Sequence, residues 1–337
     1  MTTQTELMLP QPKKKKNAEP FYGGVIFDID NVLVDTRRSY LDAIRWTIDI
    51  FLTEGKVPFF SAKKSKKNHL LSPGDVAQFK LLGGFNDDWD CCYGILTYLL
   101  SLPVKGRTIQ ELKRKINIPQ FIKTVKTRPL GVNGIVKKLG RHTYVTIEKI
   151  SRIFQEVYLG KDLFEKLTHH AALYWIKLGL IRKEKLAFRR STLSKLKSLG
   201  VKLGITTGRP RFEATYALRH FGIHEMFDAV TTMDDVRKAE AEMKQSLRKP
   251  HPFSLIETAK KLGTKKPLLY VGDLPDDILT AVRAKEFLDI HSVGFPALSS
   301  TLQETLLEMK RLKVDFLIQK PSELPAIVLK GKPPQAG

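Results

Sequence analysis

Two aspartates one residue apart, Asp28 and Asp30 in FDIDNVLVDT, stand immediately after the apolar run Val25, Ile26 and Phe27. Carboxylates at that spacing can hold a hard cation and still leave an oxygen for chemistry, because Mg²⁺ takes a few carboxylates and completes its octahedron with waters and phosphate oxygens. The same pair could equally form a turn and cap the next helix. In GITTGRP an apolar run ends at Thr206, Thr207 and Gly208, where a hydroxyl and open backbone N–H groups suit a phosphate oxygen. Arg209, next in the chain, adds a cation for a bound substrate. In RKPHPFSLIETAKK, Lys249 precedes two prolines and a helix, so its ammonium can be held near a helix N-terminus facing an anion. In LLYVGDLPDDI, Asp273 closes a strand and Asp276 and Asp277 open the following helix, where acids are also ordinary caps.

These residues need a scaffold that brings them to one rim. Short continuous apolar runs occur at Phe21 to Phe27, Val201 to Ile205, Ala229 to Val230, Leu268 to Val271 and Ile290 to Val293, with a weaker one at Phe316 to Ile318. Runs of this form are strands buried on both faces. Helical spacing lies between them: Leu193, Leu196 and Leu199; Ala217, Leu218 and Phe221; Phe253, Ile256, Ala259 and Leu262; Ile278, Val282 and Phe287. Alternation of strand and helix predicts an α/β fold, a parallel sheet with helices on both faces, whose ligands bind beyond the carboxyl ends of the strands. Gly200, Gly222 and Gly263 follow three of the helices as C-terminal stops.

The order Asp-x-Asp, Thr, Lys, Gly-Asp-x-x-x-Asp resembles the four motifs of the haloacid dehalogenase superfamily of phosphoryl-transfer enzymes. The resemblance covers Phe21 to Asp35 and about Thr192 to Val293. It implies a Rossmann-like three-layer α/β/α core and an Mg²⁺ cofactor. It makes Asp28 the nucleophile, Asp30 the general acid/base, Thr207 the phosphoryl hydrogen-bond donor and Lys249 the balancing charge. Thr206 shares the role of Thr207 if the register slips by one. Asp273 would complete the metal site with the Asp28 carboxylate and the Asp30 backbone carbonyl, supported from behind by Asp277 and Asp276. Asn31 stands where the family usually has Gly, and Asn is the next best residue for a positive φ. Val32 replaces a common Thr. Relatives that cleave carbon–halogen bonds lack the second aspartate, so Asp30 implies a phosphatase.

The chemistry agrees with these roles. Aspartate attack on phosphorus divides hydrolysis into two displacements, and their transition states spread negative charge that a cation and a lysine offset. A second carboxyl group protonates the leaving oxygen and then takes a proton from water. The expected activity is Mg²⁺-dependent hydrolysis of a small phosphorylated metabolite through an aspartyl-phosphate. The rival readings are a phosphomutase with the same nucleophile, and a basic nucleic-acid-binding protein carrying a vestigial site.

From Arg37 to Lys185 amphipathic stretches run on with no buried-strand pattern: Leu41, Ile44, Ile48 and Phe51 share a face, as do Trp89, Cys92, Leu96 and Leu99, and Ile150, Phe154 and Val157. This predicts an all-helical domain, 37–185, inserted after the first strand of a core made of 21–36 and 186–330, with tails at 1–20 and 331–337. Such an insertion resembles the substrate-selecting cap of one large group in the superfamily. Within it, LSPGDVAQFKLLGGFNDDWD breaks the helical pattern with glycines, an amide and acids, which makes Asp75, Lys80 and Asn86 candidate substrate contacts. The alternative is a glycine-hinged loop capped by Asn86 and Asp87. The stretch 56–68 reads as a lysine-rich loop.

The 337 residues carry 57 Lys and Arg against 35 Asp and Glu, a net +22, and 12 of the basic residues lie between Lys105 and Lys149 beside two acids. That surface could steer anionic substrates, but no helix-turn-helix, zinc or aromatic-basic signature accompanies it. Cys91 and Cys92 are adjacent and unsuited to a disulfide, which points to a reducing compartment. With no secretory signal and no membrane span, the expected address is cytoplasmic, the lysines at 13–16 being a solvated tail, an electrostatic arm or a nuclear-type signal. His169 and His170 lack metal-ligand spacing.

Overall fold

The computed structural model describes residues 19–53, 69–85, 87–105, 108–126, 129–299 and 301–331. The lysines at 13–16, the stretch 56–68 and Asn86 lie outside them. The first strand, β1 (Gly24–Phe27), is buried along its whole length. Side chains alternate across a strand, so Val25 and Phe27 join Leu203, Ile205, Leu269 and Val271 on one face, while Ile26 joins Leu255, Leu262, Leu268 and Tyr270 on the other. Two apolar faces require a helical layer on each, which is the predicted α/β/α sandwich.

After β1 come β2 (Val34–Asp35), β3 (Lys185–Leu186), β4 (Lys202–Thr206), β5 (Ala229–Thr231), β6 (Leu268–Gly272), β7 (Ile290–Gly294) and β8 (Phe316–Leu317). Among the described residues the main sheet has six parallel strands in the order β5-β4-β1-β6-β7-β8. Phe27 is in register with Ile205 of β4 and Val271 of β6. The residues just past these three neighbours therefore meet at one edge, and they are Asp28, Thr206 with Thr207, and Asp273. Asn31 takes φ 54°, the conformation its identity allowed. Helices Arg190–Ser198, Arg211–His220, Phe253–Leu262 and Pro275–Ala284 match the periodic segments. Phe287 is an exception, exposed beyond the end of the last helix rather than on its buried face.

Between β2 and β3 the described chain is helical, with Tyr40–Thr53, Pro73–Lys80, Asp88–Ser101 and Ile147–Thr168 among its helices. Ile44, Ile48, Phe51, Cys92, Leu96, Leu99, Ile150, Phe154 and Val157 share one apolar cluster, separate from the clusters of the sheet. Helix Tyr40–Thr53 packs along Ile147–Thr168. The latter is interrupted at Gly160, whose φ of 78° is non-helical, and is closed by His169 in the left-handed conformation. The antiparallel pair β2 and β3, matching Val34 with Leu186 and Asp35 with Lys185, joins the chain's exit from the core to its return. Its two-residue strands are too short to generate a hydrophobic period. No described helix is long and apolar enough to cross a membrane.

Candidate active site

Asp28, Asp273 and Asp277 are buried, and one carboxylate oxygen from each lies within 4.8 Å of the others. The Lys249 ammonium sits among them, 2.9 Å from Asp28 Oδ1 and 2.9 Å from Asp277 Oδ1, and it also donates to the Thr206 carbonyl at 3.4 Å. Asp277 occupies the first turn of helix Pro275–Ala284, where Leu274 N–H donates to its Oδ2 at 3.2 Å. It can approach the end of β6 because residue 272 is glycine; a Cβ there would collide with the Asp277 side chain. Tyr270 hydroxyl donates to Asp277 Oδ1 at 2.6 Å, and the Lys249 ammonium stands over the same ring at 5.4 Å.

Asp28 and Asp277 share one ammonium, with Asp273 beside them. Burial pushes Asp28 up to about 7, Lys249 opposing while Asp277 and Asp30 reinforce the rise. Burial also raises Asp273 well above the usual range, with Asp277, Asp28 and Asp30 adding to it and Lys249 opposing. Lys249 itself is disfavoured by burial, but Asp277 and Asp28 outweigh that and hold it charged. A dense anionic pocket of hard oxygen donors fits a divalent cation.

Asp30 points elsewhere. Its Oδ1 accepts two hydrogen bonds from Arg209, 2.9 Å from Nε and 2.7 Å from an Nη. Arg209 is only 1% exposed and grips Glu184 with its other edge at 3.1 and 3.0 Å. Expected from the sequence among the substrate contacts, Arg209 is instead buried between two carboxylates. Thr207, just past β4, is buried and accepts from Arg209 N–H at 3.2 Å, whereas Gly208 is open at the rim. Thr206 is buried with its hydroxyl unpaired among the described residues.

The helical insertion supplies a second ion pair, Lys80 with Asp88 at 2.6 Å. Burial penalises the Lys80 charge, yet Asp88 outweighs it and the ammonium is held above its ordinary range. Asp88 is raised by burial against the pull of Lys80, with Asp87 and Asp30 adding to the rise. Asp75 does not join this pair. Its carboxylate accepts from Ser72 N–H and Oγ, both at 2.7 Å, in a capping box, and it lines a cleft with Arg45, His69 and Lys113. Asp87 caps helix Asp88–Ser101, accepting from Trp89 N–H at 2.9 Å. Arg248 of the core approaches Asp87 at 3.7 Å. The Cys91 thiol is buried and pushed up to about 12, so it stays protonated and inert.

Residues 22–285 match the family model for haloacid dehalogenase-like hydrolases. The chain belongs to that family. Within it, the pyrophosphatase PpaX of Bacillus cereus (strain AH820) is 32% identical over 134 residues, 40% of this chain and 54% of that protein. The chain thus spans about half the length of the curated relatives it matches. Two solved structures share the fold across almost their whole length. One is an X-ray structure from the Northeast Structural Genomics Consortium (TM-score 0.61, 19% identity, 90% of this chain and 98% of the other). The other is the phosphatase Tt82 from Thermococcus thioreducens (TM-score 0.57, 23% identity, 91% and 99%).

In this hydrolase several site residues lie outside the four motifs. Tyr270 is visible in the sequence only as the one polar-tipped residue in the apolar run LLYVG. Glu184, Tyr40, Tyr158 and Glu213 carry no local signal, since they come from four separate elements that converge only in the fold.

Proposed function

We propose that this hydrolase is a Mg²⁺-dependent phosphatase of a small phosphorylated metabolite, working through an aspartyl-phosphate on Asp28. The supporting observation is the placement of Asp28 beside Lys249 at the edge where three strand ends meet. Bound there, Mg²⁺ would be held by Asp28, Asp273 and the Asp30 carbonyl, and would supply charge neutralisation.

Asp28 Oδ attacks phosphorus while the bond to the leaving oxygen breaks, and the carboxyl of Asp30 gives that oxygen its proton. Water then attacks the phosphoryl group, yields its proton to Asp30 and releases phosphate, restoring Asp28. Lys249 balances the growing negative charge, and Asp277 with Tyr270 holds Lys249 in place. Thr207 donates its hydroxyl to a phosphoryl oxygen, with Thr206 as the neighbouring alternative, and Gly208 leaves the rim open. Asp276 begins the same helix as Asp277 and adds negative charge behind it. Lys80, paired with Asp88 on the insertion, is our candidate for contact with the remainder of the substrate.

Phosphate release across sugar phosphates, phosphoglycolate, histidinol phosphate, nucleotides and inorganic pyrophosphate, with product analysis for isomers, tests the reading. Free phosphate without isomer is expected; isomer without phosphate would make the protein a mutase instead.

A further inference from the structure

The Arg209 guanidinium turns the edge formed by Nε and Nη2 to Asp30 and the edge formed by Nη1 and Nη2 to Glu184, so that Nη2 donates to both. Both bonds to Asp30 fall on Oδ1, and among the described residues no donor reaches Oδ2. Glu184 is itself fully engaged: Ser39 Oγ donates to it at 3.0 Å and Tyr158 hydroxyl at 2.9 Å, with all three side chains buried. Ser39 follows β2, Glu184 precedes β3, and Tyr158 lies on helix Ile147–Thr168. Tyr40, stacked on Tyr158 at 4.6 Å, carries the guanidinium over its ring at 5.2 Å.

We propose that Arg209 is the positioning residue for Asp30: it immobilises Oδ1 so that Oδ2 carries the transferred proton, and Glu184 fixes Arg209 to the stem of the insertion. A planar guanidinium suits this because two of its N–H groups, fixed relative to each other, converge on the single atom Oδ1 and leave Oδ2 open, a directionality that a lysine point charge lacks. The proton leaves Oδ2 for the departing oxygen in the first displacement and returns to Oδ2 from water in the second. Because Glu184 takes its other bonds from Ser39 and Tyr158, the orientation of Asp30 depends on how both crossings between core and insertion are seated. This role of Arg209 rests on the phosphatase reading.

Misplacing the proton matters most where the leaving group is basic. The experiment compares kcat/KM for an alkyl phosphate and for 4-nitrophenyl phosphate in the wild type, Arg209→Lys, Arg209→Gln and Glu184→Gln. The Arg209→Gln variant is expected to lose about 100-fold or more on the alkyl ester and less than about 5-fold on the aryl ester, within the range a general acid supplies. The kcat values for the two esters should converge as dephosphorylation becomes slow, and Arg209→Lys should restore little. Equal losses on both esters, a change confined to KM, or full activity of Arg209→Lys would overturn the proposal. If neither Arg209 variant folds, the isosteric Glu184→Gln decides by the same ratio: a selective alkyl loss supports the proposal, and an unchanged ratio rejects it. A wild type inactive on both esters, or an Asp28→Asn variant as active as wild type, would remove the phosphatase reading and this inference with it.

Discussion

Lys249 Nζ lies 2.9 Å from Asp28 Oδ1, so under the proposed mechanism the cation that balances the phosphoryl group touches the attacking carboxylate before any substrate arrives. The contact joins residues 221 positions apart in the chain. It keeps Asp28 from rising as far as burial alone would drive it. An arriving phosphoryl dianion would share the same ammonium, so the charge needed for the transition state is in place beforehand.

Replacing Lys249 with Met removes that charge and leaves Asp28 and Asp277 facing each other. Turnover should fall about 100- to 1000-fold, the range for loss of one preorganised electrostatic donor. Steady-state kinetics on a purified, folded sample would check it, and a loss under about 3-fold would deny Lys249 its role.

The two aspartates of the first motif should separate kinetically. Asp28→Asn should form no phosphoenzyme, since an amide does not attack phosphorus. Asp30→Asn should still be phosphorylated by an aryl phosphate but release phosphate slowly, so that acid-quenched phosphoenzyme accumulates. Phosphoenzyme on Asp28→Asn, or turnover above a few per cent where a lost nucleophile costs about 10⁴ or more, would reverse the assignment.

Mg²⁺ should raise the melting temperature as well as support turnover, because it binds the folded carboxylate cluster alone. Asp273→Asn should lose most of that gain, and chelator should abolish activity. Ca²⁺ should substitute poorly, its coordination being larger and looser. Equal rates with both ions would speak against in-line attack by a metal-bound Asp28.

Tyr270→Phe deletes the 2.6 Å bond to Asp277 Oδ1 while keeping the ring under Lys249. A stability loss of about 1 kcal/mol is expected from denaturant titration, with turnover reduced about 3- to 10-fold as Lys249 loses its firm partner. An unchanged kcat would show that Asp277 needs no support from the strand.

Glu213 is pushed up to about 7 by burial, against Arg209 and the Tyr40 hydroxyl at 3.0 Å, with Asp30 and Glu184 adding to the rise. The folded state therefore binds a proton that the unfolded chain, titrating near 4.5, has already released. Its contribution is complete below about pH 4.5 and is lost as pH climbs to about 7, at about 1.4 kcal/mol for each pH unit crossed. Melting curves from pH 5 to 8 should thus slope less steeply for Glu213→Gln than for the wild type.

The core is legible because its signals are local. Each strand of the main sheet is an apolar run, and Asp28, Thr207 and Asp273 follow such runs directly, so sequence order alone puts them on a common rim. Lys249 needs only the prolines and the helix after it. What escapes has no local pattern. The β2 and β3 pair is two residues long on each side, below any period. Arg209 sits in a motif and takes its expected role from its neighbours, yet its partner Glu184 comes from the far end of the insertion. Asp75 is an acid in an unusual loop whose contacts, a Ser72 hydroxyl and N–H, are those of an ordinary helix start, which the loop's composition did not reveal.

The ladder between Val34 and Leu186 puts the two severed ends of the core side by side. Everything between them enters and leaves through one narrow doorway. Residues can therefore be added to or removed from the insertion without moving the strand ends that carry Asp28, Thr207 and Asp273. A graft of a foreign insertion at this doorway has two backbone junctions to satisfy, and beyond them it must restore the bonds that Tyr158 makes to Glu184 and Tyr40 makes to Glu213.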